Sequence, residues 1–381
     1  MILELHILQN IAPSNLNRDD ANQPKDCEFG GHRRARISSQ SIKRAIRQEF
    51  FRTLPPECVG SRSKLAADRL TEKLTALIPG RNSEELSKVA KSVITEYFAK
   101  ADKEGNSSVL VFFDDTELNH LAEVIKQMYE TELAGGLSEK AKKTEKDPAI
   151  AAVLKNAGIK PIAYDIALFG RMLAENPDRN VDGACQVAHA ISTNRVQMEF
   201  DFFTAVDDLQ SKDKTGAGMM GTVGFQSSCF YRYAVVHVDK LIENLKHDAD
   251  AAKKALHAFI EASVIALPSG KQNSFAAHNP PSFVFLTVRD SNTPWSLANA
   301  FEKPVRPLGD KGLTENSVEQ LLRYYTGLAE IYPNQLNLKH GAILVISDEL
   351  KKQINDSAMD GLLVSNLNEL LTAVNSTITE I

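Results

Sequence analysis

No apolar run in the 381 residues approaches the about 18 that a membrane-spanning helix needs. The first residues set Glu4 and His6 inside an apolar segment with no basic leader, so they do not read as a secretion signal. Cysteine is scarce and scattered. Cys27, Cys58, Cys185 and Cys229 form no CxxC pair and have no histidine at ligand spacing, so reduced thiols are expected and a structural zinc is not. No HExxH occurs among the histidines. GxxxxGK[ST], GxGxxG and GxSxG are also absent, which removes the usual motifs of phosphate loops, dinucleotide folds and serine hydrolases. No repeat period and no proline-rich linker divide the chain. What remains is an ordinary globular composition, 43% hydrophobic and 24% charged, which excludes wholesale disorder and collagen-like repeats. The expectation is a cytoplasmic chain without a membrane partner, built as one elaborated domain rather than as independent beads.

The net charge of −5 says nothing about partners, but its distribution does. Between His32 and Arg52 stand Arg33, Arg34, Arg36, Lys43, Arg44, Arg47 and Arg52, opposed by one acid, Glu49. Such a local excess is the footprint of a group that tracks a polyanion, and its plainer reading is a solvated basic face.

Residues 2–9 are apolar and β-branched enough for a first strand. Residues 11–36, with Pro13, Pro24, Gly30 and Gly31, read as a long loop. Ser38 and Ser39 are N-cap candidates for a helix to about Phe51. Helices are expected at 62–78, 83–101, 116–133, 149–175, 183–191, 249–266, 296–302, 314–330 and 359–377. Strands are expected at 108–113, 230–238, 283–288 and 342–346. The glycine-rich segment 207–224 reads as the longest flexible element. A β-α-β…β-α-β order with large helical insertions fits an α+β, ferredoxin-like or RNA-recognition-type sheet carrying excursions.

The helix at 38–51 carries the most information. Gln40, Lys43, Arg44 and Arg47 fall at i, i+3, i+4 and i+7 on one face, while Ile42, Ala45, Ile46 and Phe50 follow the same spacing on another. Long cations on a helix anchored through its opposite side suit successive phosphates. Free N–H groups at the Ser38–Ser39 start offer a further anion site, and Arg33, Arg34 and Arg36 extend the positive track. Gly30 and Gly31 allow close backbone approach. Nothing here supplies a general base, so the helix reads as binding machinery.

NLNRDD at 15–20 and KDCEFGGHRRARISSQSIKRAIR at 25–47 resemble the N-terminal signature of the CRISPR Cascade backbone proteins of subtype I-E. Similar agreement runs through VDGACQVAHAIST at 181–193, DFFTAVDDLQ at 201–210, SSCFYRYA at 227–234, KQNSFAAHNP at 271–280 and SLANAFEK at 296–303. The resemblance implies a hand-like protein. Its RNA-recognition-type palm would take residues 1–55 and 181–381, a helical finger insertion 56–180, and an extended thumb loop about 200–226. It implies copies of the chain polymerised along CRISPR RNA, the guide exposed for pairing with a target DNA strand. Large, small, 5′-end-capping and RNA-processing subunits of the complex would be further partners. No cofactor, metal or catalytic residue is implied.

Residue by residue, Arg18, Lys25, Ser38, Gln40, Lys43, Arg44 and Arg47 match the family's RNA-backbone contacts. Met172 matches an apolar residue near a displaced base. Phe202, Phe203 and Thr204 sit where the thumb begins, with Met219 and Met220 near its far side. Lys140, Lys142, Lys143 and Lys146 match in kind a lysine-rich finger helix that follows target DNA. Two departures stand out: His32 where a lysine is common, and Phe202 where a tryptophan occurs. Either phenylalanine could instead pack in a core on a helical period.

Two other readings compete. Asp19 or Asp20 could hold a metal for ribonuclease chemistry, although Asp19 could equally pair with Arg18 or cap a turn. The helix at 38–51 could also read a DNA major groove as a regulator does. Cys185 and His189, four apart, would share a helical face as packing residues, and Lys271 opens a polar segment of unassigned contact.

Overall fold

A computed structural model of the chain describes residues 1–131, 161–205, 219–336, 338–357 and 359–378. The strands run in chain order as β1 (Ile2–Ser14), β2 (Asp26–Phe29), β3 (His32–Ile37), β4 (Ser61–Ser63), β5 (Val111–Phe113), β6 (Cys185–Val187), β7 (Ala190–Ser192), β8 (Glu199–Ala205), β9 (Met219–His237), β10 (Phe283–Arg289) and β11 (His340–Val345). The first four helices are α1 (Ser39–Thr53), α2 (Ala66–Leu77), α3 (Ser83–Tyr97) and α4 (Asp115–Thr131). Two compact units emerge. One takes Met1–Arg52, Gln186–Val238 and Lys253–Ile381, and the other Thr53–Cys185 and Asp239–Ala252.

The first unit is built on an antiparallel sheet in the order β11-β10-β1-β9-β7-β3-β2. β1 lies at its heart, pairing β10 from Ile2↔Arg289 to Leu8↔Phe283 and β9 from Ile2↔His237 to Ile11↔Ser228. Strict alternation sends its two sides to different layers. On one, Leu8 joins Tyr231, Phe283, Phe285, Phe301, Val318 and Tyr325 in a core capped by the helix Leu313–Ile331. On the other, Leu5 and Ile7 meet Ile42 and Ile46 of α1 across a small gap also lined by Arg232 and Ala234.

Glu4 and His6, which interrupt the apolar start of the first strand, are wholly buried there. Glu4 accepts from Arg289 Nε at 3.0 Å, Tyr233 OH at 2.6 Å and the Trp295 N–H at 2.7 Å. His6 Nδ1 lies 2.9 Å from the Tyr231 hydroxyl. Burial pushes its imidazole down to about 4, against the opposing pull of Glu4.

In the second unit α2, α3 and α4 close over Leu70, Leu74, Leu86, Val93, Phe98 and Leu121. Asn82 caps α3 by accepting the Glu84 N–H at 2.8 Å. A buried pair, Arg171 Nη1 on Glu117 Oε2 at 2.7 Å, ties this core together, and Arg171 also donates to the carbonyls of Phe112 and Arg179.

Several expectations give way. The stretch 183–191 holds strands β6 and β7 rather than a helix, so Cys185 and His189 share no helical face. The loop expected at 11–36 contains the β2–β3 hairpin, because alternation between Asp26 and Ile37 outweighs the glycines at its turn. The segment expected as loop at 207–224 is strand from Met219 onward; residues 206–218 lie outside the described residues. Residues 149–160 of the helix expected at 149–175 lie outside them too; within 161–175 the helix is confined to Tyr164–Phe169. Among the described residues no helix is long and apolar enough to cross a membrane.

Candidate nucleic-acid interface

Helix α1 begins because Ser38 caps it: its hydroxyl oxygen accepts the Ser41 N–H at 3.3 Å and its carbonyl accepts Ile42 N–H at 3.1 Å. Ile42, Ala45, Ile46 and Phe50 are buried as their spacing predicts, and Glu49 goes in with them, paired to Arg52 at 3.0 Å. Gln40 and Arg44 stand exposed, with Lys43 and Arg47 half-buried between them and the sheet side. The Arg47 guanidinium lies 5.6 Å from the Phe51 ring centre. Arg44 borders a cavity of about 700 Å³ shared with Ser41, Gln48, Arg52, Ser269 and His278.

The helix start differs from the expectation. The Ser38 N–H goes to Asn17 Oδ1 at 2.8 Å, and the Ser39 N–H goes to His189 Nδ1 at 2.9 Å. With Ser41 and Ile42 also satisfied, these four backbone donors already have protein acceptors, and Ser38 itself is buried. The residues that fill them, Asn17 and His189, lie 21 and 150 positions away, which no local pattern signals.

Arg34 is the second correction. It is wholly buried, and its two terminal nitrogens donate to four carbonyls: Ser192 and Thr193 at 2.9 Å, Phe301 at 2.7 Å and Glu302 at 3.0 Å. It is a staple of the sheet and no part of a solvent-facing track. Arg33, one residue away on the other face of β3, is exposed and pairs with Asp26. Gly30 and Gly31 occupy the hairpin turn at φ +59° and +71°. A Cβ on Gly30 would lie 2.1 Å from the Glu302 carbonyl oxygen, so the close approach it permits is to this chain's own backbone.

The loop between β1 and β2 is a small braced turn. Arg18 bridges Pro24, and Lys25 N–H bonds the Asn17 carbonyl at 2.9 Å. Asp19 accepts the Gln23 N–H at 2.8 Å, the turn-capping alternative, and Arg18 donates to Asn22 at 3.3 Å. Arg18, Asp19 and Asp20 are exposed and Lys25 is half-buried.

This loop is fastened to the base of a two-stranded ribbon formed by β8 and the first residues of β9. Asn15 Nδ2 donates to the carbonyls of Asn22 at 3.1 Å and Gly224 at 2.9 Å. Phe225 packs on Phe275 with ring centres 5.8 Å apart, bringing the polar segment after Lys271 to the same base.

Within the ribbon Phe202 opposes Thr222, Phe203 opposes Gly221 and Thr204 opposes Met220. Phe202, Met219 and Met220 are 59–66% exposed. Neither phenylalanine packs in a core on a helical period, since the segment has period two. Phe203, less exposed, lays its ring over Gly221, where a Cβ would approach its Cζ to 2.5 Å.

Thus Arg18, Lys25, Ser38, Gln40, Lys43, Arg44, Arg47, Phe202, Phe203, Thr204 and Met220 all belong to the first unit. Met172 belongs to the second, where it stands 83% exposed beside the buried Arg171. Lys140, Lys142, Lys143 and Lys146 lie outside the described residues. Among the described residues no group of three or more His, Cys, Asp or Glu is placed to hold a metal.

These features define an α+β protein in which one antiparallel sheet carries a cationic helix, a braced basic loop and an exposed aromatic ribbon. The chain belongs to the family of CT1975-like proteins, whose model matches residues 3–373. It is similar to a chain of a solved "CRISPR RNA-guided surveillance complex, pre-nicking", at 32% identity and a TM-score of 0.81, over 99% of this chain and 100% of that one. A chain of a second "CRISPR RNA-guided surveillance complex" is 27% identical with a TM-score of 0.70, each covered in full. No curated protein matches. The resemblance to CRISPR Cascade backbone proteins drawn from the sequence motifs therefore holds.

Proposed function

We propose that this chain is the guide-RNA-binding repeat subunit of a Cascade complex of subtype I-E. In this reading it polymerises along CRISPR RNA without cutting it and presents the guide to a target DNA strand. The observation that carries this is the helix α1, sunk into the sheet through Ile42, Ala45, Ile46 and Phe50 while Lys43, Arg44 and Arg47 line the other side. A row of cations fixed to a rigid element binds phosphates at any sequence. Sequence is then read by base pairing alone, which is the division of labour a guide requires.

In this reading the antiparallel sheet of the first unit is an RNA-recognition-type palm and the ribbon of β8 and β9 the base of a thumb. Arg18 and Lys25 continue the backbone track toward it. Phe202 and Met220, on exposed cross-strand positions, wedge between bases. Unstacking costs about a few kcal/mol per step and stacking on an aromatic ring returns about 1–3 kcal/mol per base. Met172 packs beside the base so displaced, and the lysines at 140–146 follow target DNA from the finger. Further copies of the chain and the large, small, end-capping and RNA-processing subunits are the remaining partners.

Charge reversal at Lys43, Arg44 and Arg47 together tests the reading. Assembly on guide RNA should be abolished while unfolding of the chain is unchanged; retained, salt-resistant assembly would refute it. A metal-dependent ribonuclease would instead cleave a matching RNA with Mg²⁺ or Mn²⁺ and lose that cleavage on Asp19→Ala or Asp20→Ala.

A further inference from the structure

The helix start has no backbone donor to spare at Ser38 or Ser39, yet one of its acceptors is a ring that can pass a donor outward. His189 sits between β6 and β7 with its ring exposed. Because the Ser39 N–H donates to Nδ1 at 2.9 Å, that nitrogen carries no proton and the neutral ring must carry it on Nε2. Among the described residues the ring makes no other hydrogen bond. The groups acting on it from the neighbouring elements are both cations, Lys25 of the β1–β2 loop and Arg36 of β3. Partial burial first, and these two charges next, hold its imidazole below the ordinary range, which keeps the neutral form in place at neutral pH.

We propose that His189 is a further contact to the RNA backbone: a neutral donor whose Nε2–H binds a phosphate oxygen between Lys25 and Arg36. The ring links the positive end of α1 to the anion, Ser39 N–H to Nδ1 and Nε2–H to phosphate. Each bond polarises the next. Lys25 is one of the expected backbone contacts, so His189 lies on that track. The assignment rests on the guide-RNA reading above and adds to it a contact made without charge.

Absence of charge gives the contact a signature. A cation displaced from single-stranded RNA removes about 0.7 from the slope of log K against log salt, whereas a neutral donor removes affinity and leaves the slope unchanged. The experiment measures binding of the full chain to a single-stranded RNA at several salt concentrations for wild type, H189A, H189Q and K43A. Glutamine can accept the Ser39 N–H through Oε1 and donate through Nε2.

H189A is expected to bind about fivefold more weakly, the worth of one neutral hydrogen bond, at unchanged slope. H189Q should stay within about twofold of wild type on the same basis. Wild-type affinity in folded H189A overturns the proposal, as does a loss that H189Q fails to restore or one that comes with a lowered slope. If wild type and K43A both fail to bind, the RNA reading falls, and this contact with it.

Discussion

Alternation along β3 turns Arg33 outward to Asp26 and Arg34 inward, where its guanidinium holds four backbone carbonyls. A buried cation held by four carbonyl dipoles and facing the Phe29 ring is tolerable because these contacts stand in for the water it gives up. Replacing Arg34 with methionine keeps the bulk and removes all four donations. Urea unfolding is expected to show a loss of about 3–5 kcal/mol for R34M, against about 0.5 kcal/mol or less for R33M. Equal losses would mean that Arg34 does not staple the sheet. Sequence could not tell the two arginines apart by charge. Period two does not separate them correctly either, since it groups Arg33 with Ala35 and Ile37 and Arg34 with His32 and Arg36.

The ribbon of β8 and β9 exposes phenylalanine and methionine that a water-soluble hairpin has no reason to display. Its glycines read as flexibility in the sequence, but at Gly221 the missing Cβ is space that the Phe203 ring occupies. F202A should leave unfolding unchanged within about 0.5 kcal/mol, since the side chain is mostly solvated. The same variant should weaken assembly on RNA by about 1–3 kcal/mol, as lost stacking requires. A matched loss in both measurements would show instead that Phe202 supports the fold. Helix α1 was legible for the opposite reason. Its caps, its apolar stripe and its cations lie within fifteen residues, where local spacing carries the information. Asn15, which ties the loop to the ribbon, and Asn17 and His189, which hold the helix start, act over long separations and left no local trace.

At the scale of the molecule, burying His6 neutral beneath the sheet couples stability to pH. Unfolded, the ring titrates near 6.5; folded, near 4. Between these values only the unfolded chain binds the proton, so stability is full above about pH 6.5 and falls as pH drops. The loss from this one group reaches about 3 kcal/mol by pH 4. Denaturation at stepped pH should show that slope in wild type and its absence in His6→Phe; an unchanged slope would place the titration elsewhere. The α+β class and the long strands β1, β9, β10 and β11, with the short β5, followed from composition and periodicity, whereas the remaining strands and the sheet order depend on pairings as distant as Ile2 with Arg289.

The central claim, that α1 grips a sugar-phosphate chain through its cations, is tested most directly by the salt dependence of single-stranded RNA binding. K43A, R44A and R47A should each lower the slope of log K against log salt by about 0.7, equally on RNAs of unrelated sequence. Slopes that match wild type in all three variants would contradict the account.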